Sequence, residues 1–331
     1  MTAAHDAPAP AAAIGPTPAS LPREAMATYR LLFLGLAGLL VVAPLVIYPV
    51  FVMTVLCFAL FACAFNLLLG YGGLLSFGHA AFFGMAAYVT GHAAKVWGLT
   101  PELAILLGVA ASAGLGLVVG ALAIRRQGIY FSMITLALAQ MVFFFCLQAK
   151  FTHGEDGIQA IPRGALFGVI DISGDWALYV FTAVVFMAAL LALFRIVHSP
   201  FGQVLKAIRE NEPRAISLGY DAARYKLATF VLSAGFAGLA GSMKALVSQI
   251  ATLTDVHWSM SGEAILITLV GGVGTVFGPI VGSVIVIAMQ NYLAQLGAWV
   301  TVAQGVIFVV CVLAFREGIV GVLARRLKMR L

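Results

Sequence analysis

The sequence predicts an all-α, polytopic helical membrane protein of about ten transmembrane segments, and three observations carry that prediction. Hydrophobic residues fill 62% of 331 positions and charged residues only 10%, far less charge than a soluble chain of this size would carry. Apolar runs of about 20 residues, the length that crosses a bilayer as a helix, recur along the chain. Basic residues are one-sided: with the N-terminus inside, 15 of the 19 Lys and Arg are cytoplasmic. Only Lys95, Lys150 and Arg163 fall outside, with Lys244 inside a span. That asymmetry accounts for the net charge of +6, which therefore implies lipid headgroups and no nucleic acid.

Residues 1–28 are Ala- and Pro-rich (Pro8, Pro10, Pro16, Pro18, Pro22) and read as a disordered tail. They lack the pattern of a cleaved signal. A membrane domain is expected over 29–322 and a basic cytoplasmic tail over 323–331. Within the domain, spans are placed at 31–48, 50–69, 74–94, 103–124, 129–149, 176–197 and 227–250. The last apolar region, 263–315, is interrupted by Gly271-Gly272-Val273-Gly274 and by Pro279, which divides it into 263–273, 276–294 and 299–315. The first piece is too short to cross unaided and suits a half-helix buried among others. Cys57, Cys63, Cys146 and Cys311 all lie in these spans with no metal-ligand spacing, as small packing residues.

One long polar stretch interrupts the apolar pattern. From His198 to Lys226 the chain reads HSPFGQVLKAIRENEPRAISLGYDAARYK. Pro200 and Gly202 mark a turn, and Val204, Ala207, Ile208 and Asn211 then recur at i, i+3, i+4 and i+7, a narrow helical stripe. Lys206, Arg209 and Glu210 take the other side. Pro213 disfavours helix at Glu212, so the first helix should end near Asn211. A second short helix should open at Pro213 and stop at Gly219. Two short helices too polar for lipid suit a docking element or a loop solvated at the headgroups.

Two glycine-rich breaks stand out. Asn66 to Gly91, NLLLGYGGLLSFGHAAFFGMAAYVTG, places Asn66, Ser76 and His79 where lipid offers no partner, so they should face the bundle interior. His79 suits either a substrate path or a neutral ring tied to a backbone carbonyl. Trp258 to Gly282, WSMSGEAILITLVGGVGTVFGPIVG, carries the second break. Gly72-Gly73 before Phe77-Gly78 is echoed by Gly271-Gly272 before Phe277-Gly278. The echo fits an inverted repeat of two five-span halves, and equally fits glycine pairs of the kind common in membrane helices. Small and polar residues at Asn66, Ser76, Gly78, His79, Gly272, Gly274 and Thr275 suggest that the two breaks meet at a translocation path. Lys244 is expected to snorkel outward, and Glu263 to sit at the outer N-terminus of a helix.

The run Ala207-Ile208-Arg209-Glu210-Asn211, with Gly202, Ala215 and Gly219, resembles the cytoplasmic coupling loop of ABC importer permeases. Asn66 to Gly91, Gly128 to Gln140 (GIYFSMITLALAQ) and Thr152 to Arg163 (THGEDGIQAIPR) are similar to the M-type permease of branched-chain amino acid (Liv) importers. In the third, His153 stands where that family usually has glycine, and Gln159-Ala160 where glycine is common. The resemblance implies one of two membrane subunits in the bacterial inner membrane, both termini cytoplasmic, carrying an amino acid inward. It implies as partners a second (H-type) permease, two ATP-binding subunits and a periplasmic solute-binding protein. It also implies that Gly202, Val204, Ala207, Ile208, Arg209, Glu210, Asn211 and Gly219 couple to the ATPase. Branched-chain amino acids are the family's usual cargo, while relatives carry urea, short amides or aromatic acids.

No G-x-x-x-x-G-K-[ST] occurs, so this chain has no phosphate-binding loop of that kind; ATP and magnesium belong on a partner, with no cofactor here. No G-x-S-x-G occurs either, and Ser76 with His79 lacks an orienting acid, which disfavours a membrane-embedded enzyme. The alternative is a secondary transporter of small polar solutes, against which stands the lack of a central acid in the predicted spans.

Overall fold

A computed structural model describes residues 23–293 and 318–326, with single positions between 302 and 309. The tail expected over 1–28 lies outside these residues up to position 22, and so do most of the expected span at 299–315 and the tail beyond 326. Among the described residues, six helices are long and apolar enough to cross a membrane. They are α1 (Arg23–Val46), α2 (Pro49–Asn66), α4 (Pro101–Ala123), α5 (Ile129–Gln148), α6 (Asp175–His198) and α9 (Ala222–Ser248). Shorter apolar helices accompany them: α3 (His79–Lys95), α11 (Trp258–Gly271) and α12 (Gly278–Leu293). The remaining helices are α7 (Pro200–Glu210), α8 (Glu212–Ser217), α10 (Leu253–Val256) and α13 (Gly318–Arg326). Proline opens α2, α4 and α7, where its missing N–H is no loss.

α2 is the axis of the bundle, buried along almost its whole length, and α9 packs against α2, α3 and α4. The α3–α4–α9 contact is close because its residues are small. A Cβ on Gly241 would stand 2.0 Å from Phe83 O, and one on Gly108 2.3 Å from Thr90 Oγ1. Hydroxyls add interhelical ties. Thr90 and Ser242 are 2.8 Å apart, and Ser112 donates to Ala234 O at 2.6 Å. The outer faces of α1, α4, α5 and α6 remain apolar and exposed (Leu31, Leu106, Met141, Val184), as lipid requires.

Two expected spans shift. The region expected at 74–94 is helical only from His79, because 72–78 is an irregular break; that expected at 263–273 begins earlier, at Trp258. α2 continues into one π turn, Leu67–Tyr71, before the first break. At the opposite end, 150–175 is not a loose acidic loop. Ile158 pairs with Ala251 through two backbone bonds of 2.9 Å, and Ile161 N donates to Gln249 O at 3.0 Å. Arg163 bonds Asp175 at 2.7 Å, and a two-residue hairpin pairs Ala165–Leu166 with Ile170–Asp171. Buried Ile158 and Ile161 are the physical reason: they supply the apolar contact that a solvated loop lacks.

Candidate functional site

The polar segment folds as two capped helices wedged between α6 and α9. Ser199 accepts from Gly202 N, Asn211 ends α7 and accepts from Arg214 N at 3.0 Å, and Asp221 caps α9 through Arg224 N at 3.1 Å. Gly219 holds a left-handed φ of 88° after α8, as its position predicts. Gly202 seats α7 on the end of α6: a Cβ there would stand 2.1 Å from Val197 O.

The packed face of α7 differs from the expected stripe. Gly202, Leu205 and Ile208 are buried, Val204 is half-buried, and Ala207 and Asn211 are exposed. Leu205 displaces Ala207 because a leucine buries more apolar area, and α7 rotates to place it inward. Ile208 then packs with Ala215 and Ala222, flanked by Val204 and Tyr225. Of the expected coupling residues, Gly202 and Ile208 thus serve the protein's own body, while Ala207, Glu210, Asn211 and Gly219 face outward. Ile216 and Leu218, large apolar side chains exposed beside them, escaped the sequence reading; two such residues in a polar stretch were the available signal.

Nor do Lys206 and Arg209 simply face solvent. Lys206 Nζ lies 5.5 Å from the centre of the Tyr71 ring, and burial pushes its ammonium below the ordinary pKa. Arg209 is an exposed residue as a whole, yet its stem lies against Gly73 and Nη1 donates to Gly70 O in the π turn. A basic residue on the polar face of a short helix is free to turn toward a carbonyl at the membrane boundary, where it gains a charge-assisted bond.

The seven expected path residues form three groups rather than one. Asn66, Gly272, Gly274 and Thr275 come together. Asn66 Nδ2 donates to Thr275 O and Gly274 N to Asn66 Oδ1, both at 2.8 Å, while Thr275 Oγ1 donates to Gly272 O at 2.8 Å. Gly70 is pressed against the same break, a Cβ there standing 2.7 Å from Gly274 N. Ser76 and Gly78 lie instead beside α5. Gly78 N donates to Ser76 Oγ at 3.1 Å, Phe77 N to Thr135 Oγ1 at 3.2 Å, and Ser132 Oγ to Leu75 O at 2.7 Å. Side-chain hydroxyls thus satisfy a backbone that has left the helix, the condition for irregular chain in a membrane.

His79 is fully buried among Phe65, Phe82 and Phe230. Its Nε2 lies 2.8 Å from Ser233 Oγ, and Ser233 donates its single proton to Ala64 O. His79 therefore donates through Nε2, and the tie to a carbonyl runs through a serine rather than directly.

Two further expectations are corrected at the far end of the bundle. Lys244 does not snorkel: Nζ bonds Asp255 Oδ2 at 2.7 Å, with the Asp255 side chain 3% exposed. Asp255 also accepts from Thr252 N at 3.0 Å, capping α10. An acid within reach in low dielectric outweighs the pull of water on the lysine. Glu263 is not at a helix N-terminus but inside α11, where Gln290 of α12 donates to it at 2.6 Å. Among the described residues no cluster of His, Cys, Asp or Glu could hold a metal ion.

A bundle of apolar helices, in which the end of α2 meets a glycine-rich break between two later helices and a folded polar segment lies at one end, is a polytopic membrane protein of the permease class. The family described as branched-chain amino acid transport system, permease component, matches residues 47–315. The chain belongs to that family, and so is a permease component of the ABC type rather than itself a catalyst. Similar proteins include the high-affinity branched-chain amino acid transport system permease protein LivM of Salmonella typhimurium strain LT2. It is 26% identical over 289 residues, 80% of this chain and 68% of that one. LivM of Escherichia coli K12 is 24% identical over the same shares. The probable LivM of Methanocaldococcus jannaschii is 31% identical over 189 residues, 54% of this chain and 53% of that one. No solved structure matches the chain.

Proposed function

We propose that this chain is one of two membrane subunits of an importer that carries branched-chain amino acids, or a related small amino acid or amide, into the cell. A second, H-type permease completes the pathway and a periplasmic binding protein delivers the solute. Two ATPase subunits, which hold ATP and magnesium, dock on 199–221. The protein lies in the bacterial inner membrane with both termini cytoplasmic, and about ten spans form two halves.

The observation that carries the reading is the α7–α8 unit. It is capped at each junction, packed on its own small core and joined without slack to two long helices, so a displacement there is transmitted rather than absorbed. Ala207, Ile216 and Leu218 lie exposed on it, the apolar contact a docking partner needs. The two-halves reading is supported by the breaks. α3 starts directly after Phe77-Gly78 and α12 at Phe277-Gly278, and in each a hydroxyl (Ser76, Thr275) accepts from the glycine N–H. Asp255 and Glu263 are acids in or near the membrane, but each already has a partner, which disfavours ion-coupled secondary transport.

The test is Ala207→Glu. A large charged side chain at the centre of the exposed face should overfill the partner's groove and weaken docking by about 1–3 kcal/mol. Membrane levels should stay normal, while co-purification of the ATPase and uptake fall together. Normal uptake would place the docking surface elsewhere.

A further inference from the structure

We propose that Arg209 is the latch of the inner gate: its guanidinium ties the coupling helix to the turn that ends α2, beside the second glycine break, and the path opens inward when that tie is released. The inference rests on the function proposed above and gives the gate of that path a residue. Docking and gating then belong to opposite sides of one short helix.

The first observation is the carbonyl that Arg209 holds. In the turn that ends α2, Leu67 O accepts from Gly72 N, Leu68 O from Leu74 N and Leu69 O from Gly73 N. Gly70 O has no backbone donor among the described residues, and Arg209 Nη1 donates to it. A charged donor on a leftover carbonyl is a strong bond, and losing it leaves that carbonyl unsatisfied.

The second is the set of glycines along the Arg209 side chain. A Cβ on Gly73 would stand 2.9 Å from Arg209 Cγ, and one on Gly274 3.7 Å from Arg209 Nη1. Gly70 and Gly274 press on each other at the same point. The missing side chain at Gly73 makes room for the stem of the arginine, whose Nη1 then lies at Gly70 O with Gly274 of the second break alongside.

The third is room to move. A cavity of about 390 Å³ adjoins the contact, lined by Gly70, Tyr71, Lys206, Arg209, Glu210 and Gly274. A withdrawn guanidinium enters water there, with the Glu210 carboxylate in the same cavity as its next partner. The latch therefore has two seats, and a shift of α7 under the ATPase subunits chooses between them.

The experiment uses the assembled complex in proteoliposomes, without ATP or binding protein. Cys57, Cys146 and Cys311 are replaced by alanine, leaving Cys63, which lines a small cavity with Asn66, Tyr71 and Val276 just inside the contact. Arg209→Ala should raise passive leucine leak about tenfold or more, the shift that losing one charge-assisted bond brings to a two-state gate. It should also make Cys63 reactive toward a polar maleimide it otherwise resists, with the ATPase subunits still bound. Arg209→Lys, which keeps a charged donor, should leak less than Arg209→Ala. Unchanged leak and labelling in an intact complex would overturn the proposal. So would loss of the ATPase subunits from Arg209→Ala, which would make Arg209 part of the docking surface. Should Ala207→Glu retain its ATPase subunits, only the docking reading fails, and leak and labelling still decide the latch.

Discussion

The two ends of the bundle, outer and inner in the proposed orientation, are closed by different means. At the outer end, α10 is pinned by a buried Lys244–Asp255 pair, and the 150–175 loop is bridged to the end of α9 by backbone bonds at Ile158 and Ile161. α10 also presses on α3 at Gly84, where a Cβ would stand 2.3 Å from Val256 Cγ2. At the inner end, side chains close the breaks. Asn66 and Arg209 each reach across to backbone, and a cavity of about 390 Å³ lies alongside. Several buried contacts must break together to open the first end, and very few to open the second. On the proposed reading, the difference makes the inner end the one that yields.

The comparison is broken most directly at Asp255. Asp255→Ala leaves Lys244 charged and unpaired in a poorly hydrated place and should cost about 3–5 kcal/mol, read as a lower unfolding temperature in detergent. Replacing both partners, Lys244→Met with Asp255→Leu, should recover only part of the loss, since it removes the unpaired charge but still leaves Thr252 N without its cap. A second comparison adds the same methyl to each end. Gly84→Ala should cost about 1–3 kcal/mol because backbone of α10 blocks it. Gly70→Ala meets Asn66 Oδ1 at 2.2 Å and backbone of Gly274 at 2.7 Å, so it should cost about as much stability, but with uptake impaired as well. Equal losses of uptake at matched membrane levels would mean that the contact at Gly70 has no special part in the path.

The smallest effect concerns the outer loop alone. His153 and Ala160, standing where the resembled family has or favours glycine, both adopt left-handed backbone, with φ of 60° and 52°. That conformation is unstrained for glycine and costs other residues free energy. Ala160→Gly should therefore stabilise by about 0.5–1 kcal/mol or be neutral, the lost strain being offset by greater freedom of the unfolded chain. A clear destabilisation would show that the alanine methyl is a needed contact.

Much of this architecture is legible in the sequence where backbone chemistry dictates it. The Asn211-Glu212-Pro213 junction and Gly219 punctuate the polar segment where the structure shows it, because a capping side chain and left-handed φ are local properties. The turn expected at Pro200 and Gly202, by contrast, is already the first turn of α7, proline being well suited to open a helix. The long apolar runs likewise locate α1, α2, α4, α5, α6 and α9. Facing directions are not legible in this way. In lipid both sides of a helix are apolar, so periodicity no longer separates core from surface, and even on α7 the stripe chosen shares only Ile208 with the fully buried set. Long-range pairings are equally silent. Nothing beside Arg209 announces a carbonyl 139 positions away, and nothing beside Lys244 announces Asp255 across a chain reversal. The grouping of Ser76 with Thr135 rather than with Thr275 follows from packing of whole helices, which no local motif encodes.

The π turn at Leu67–Tyr71 has a consequence for how this chain can change over time. One extra residue in a turn re-phases everything after it by roughly 100° about the helix axis. Asn66, before the turn, addresses the second glycine break, while Tyr71, at its end, lies under Lys206. Exchanging one leucine of Leu67-Leu68-Leu69 for another apolar residue alters a contact. Deleting one swings the two neighbouring sites out of alignment. At this point the number of residues is inherited information in its own right, and it is less forgiving than their identity.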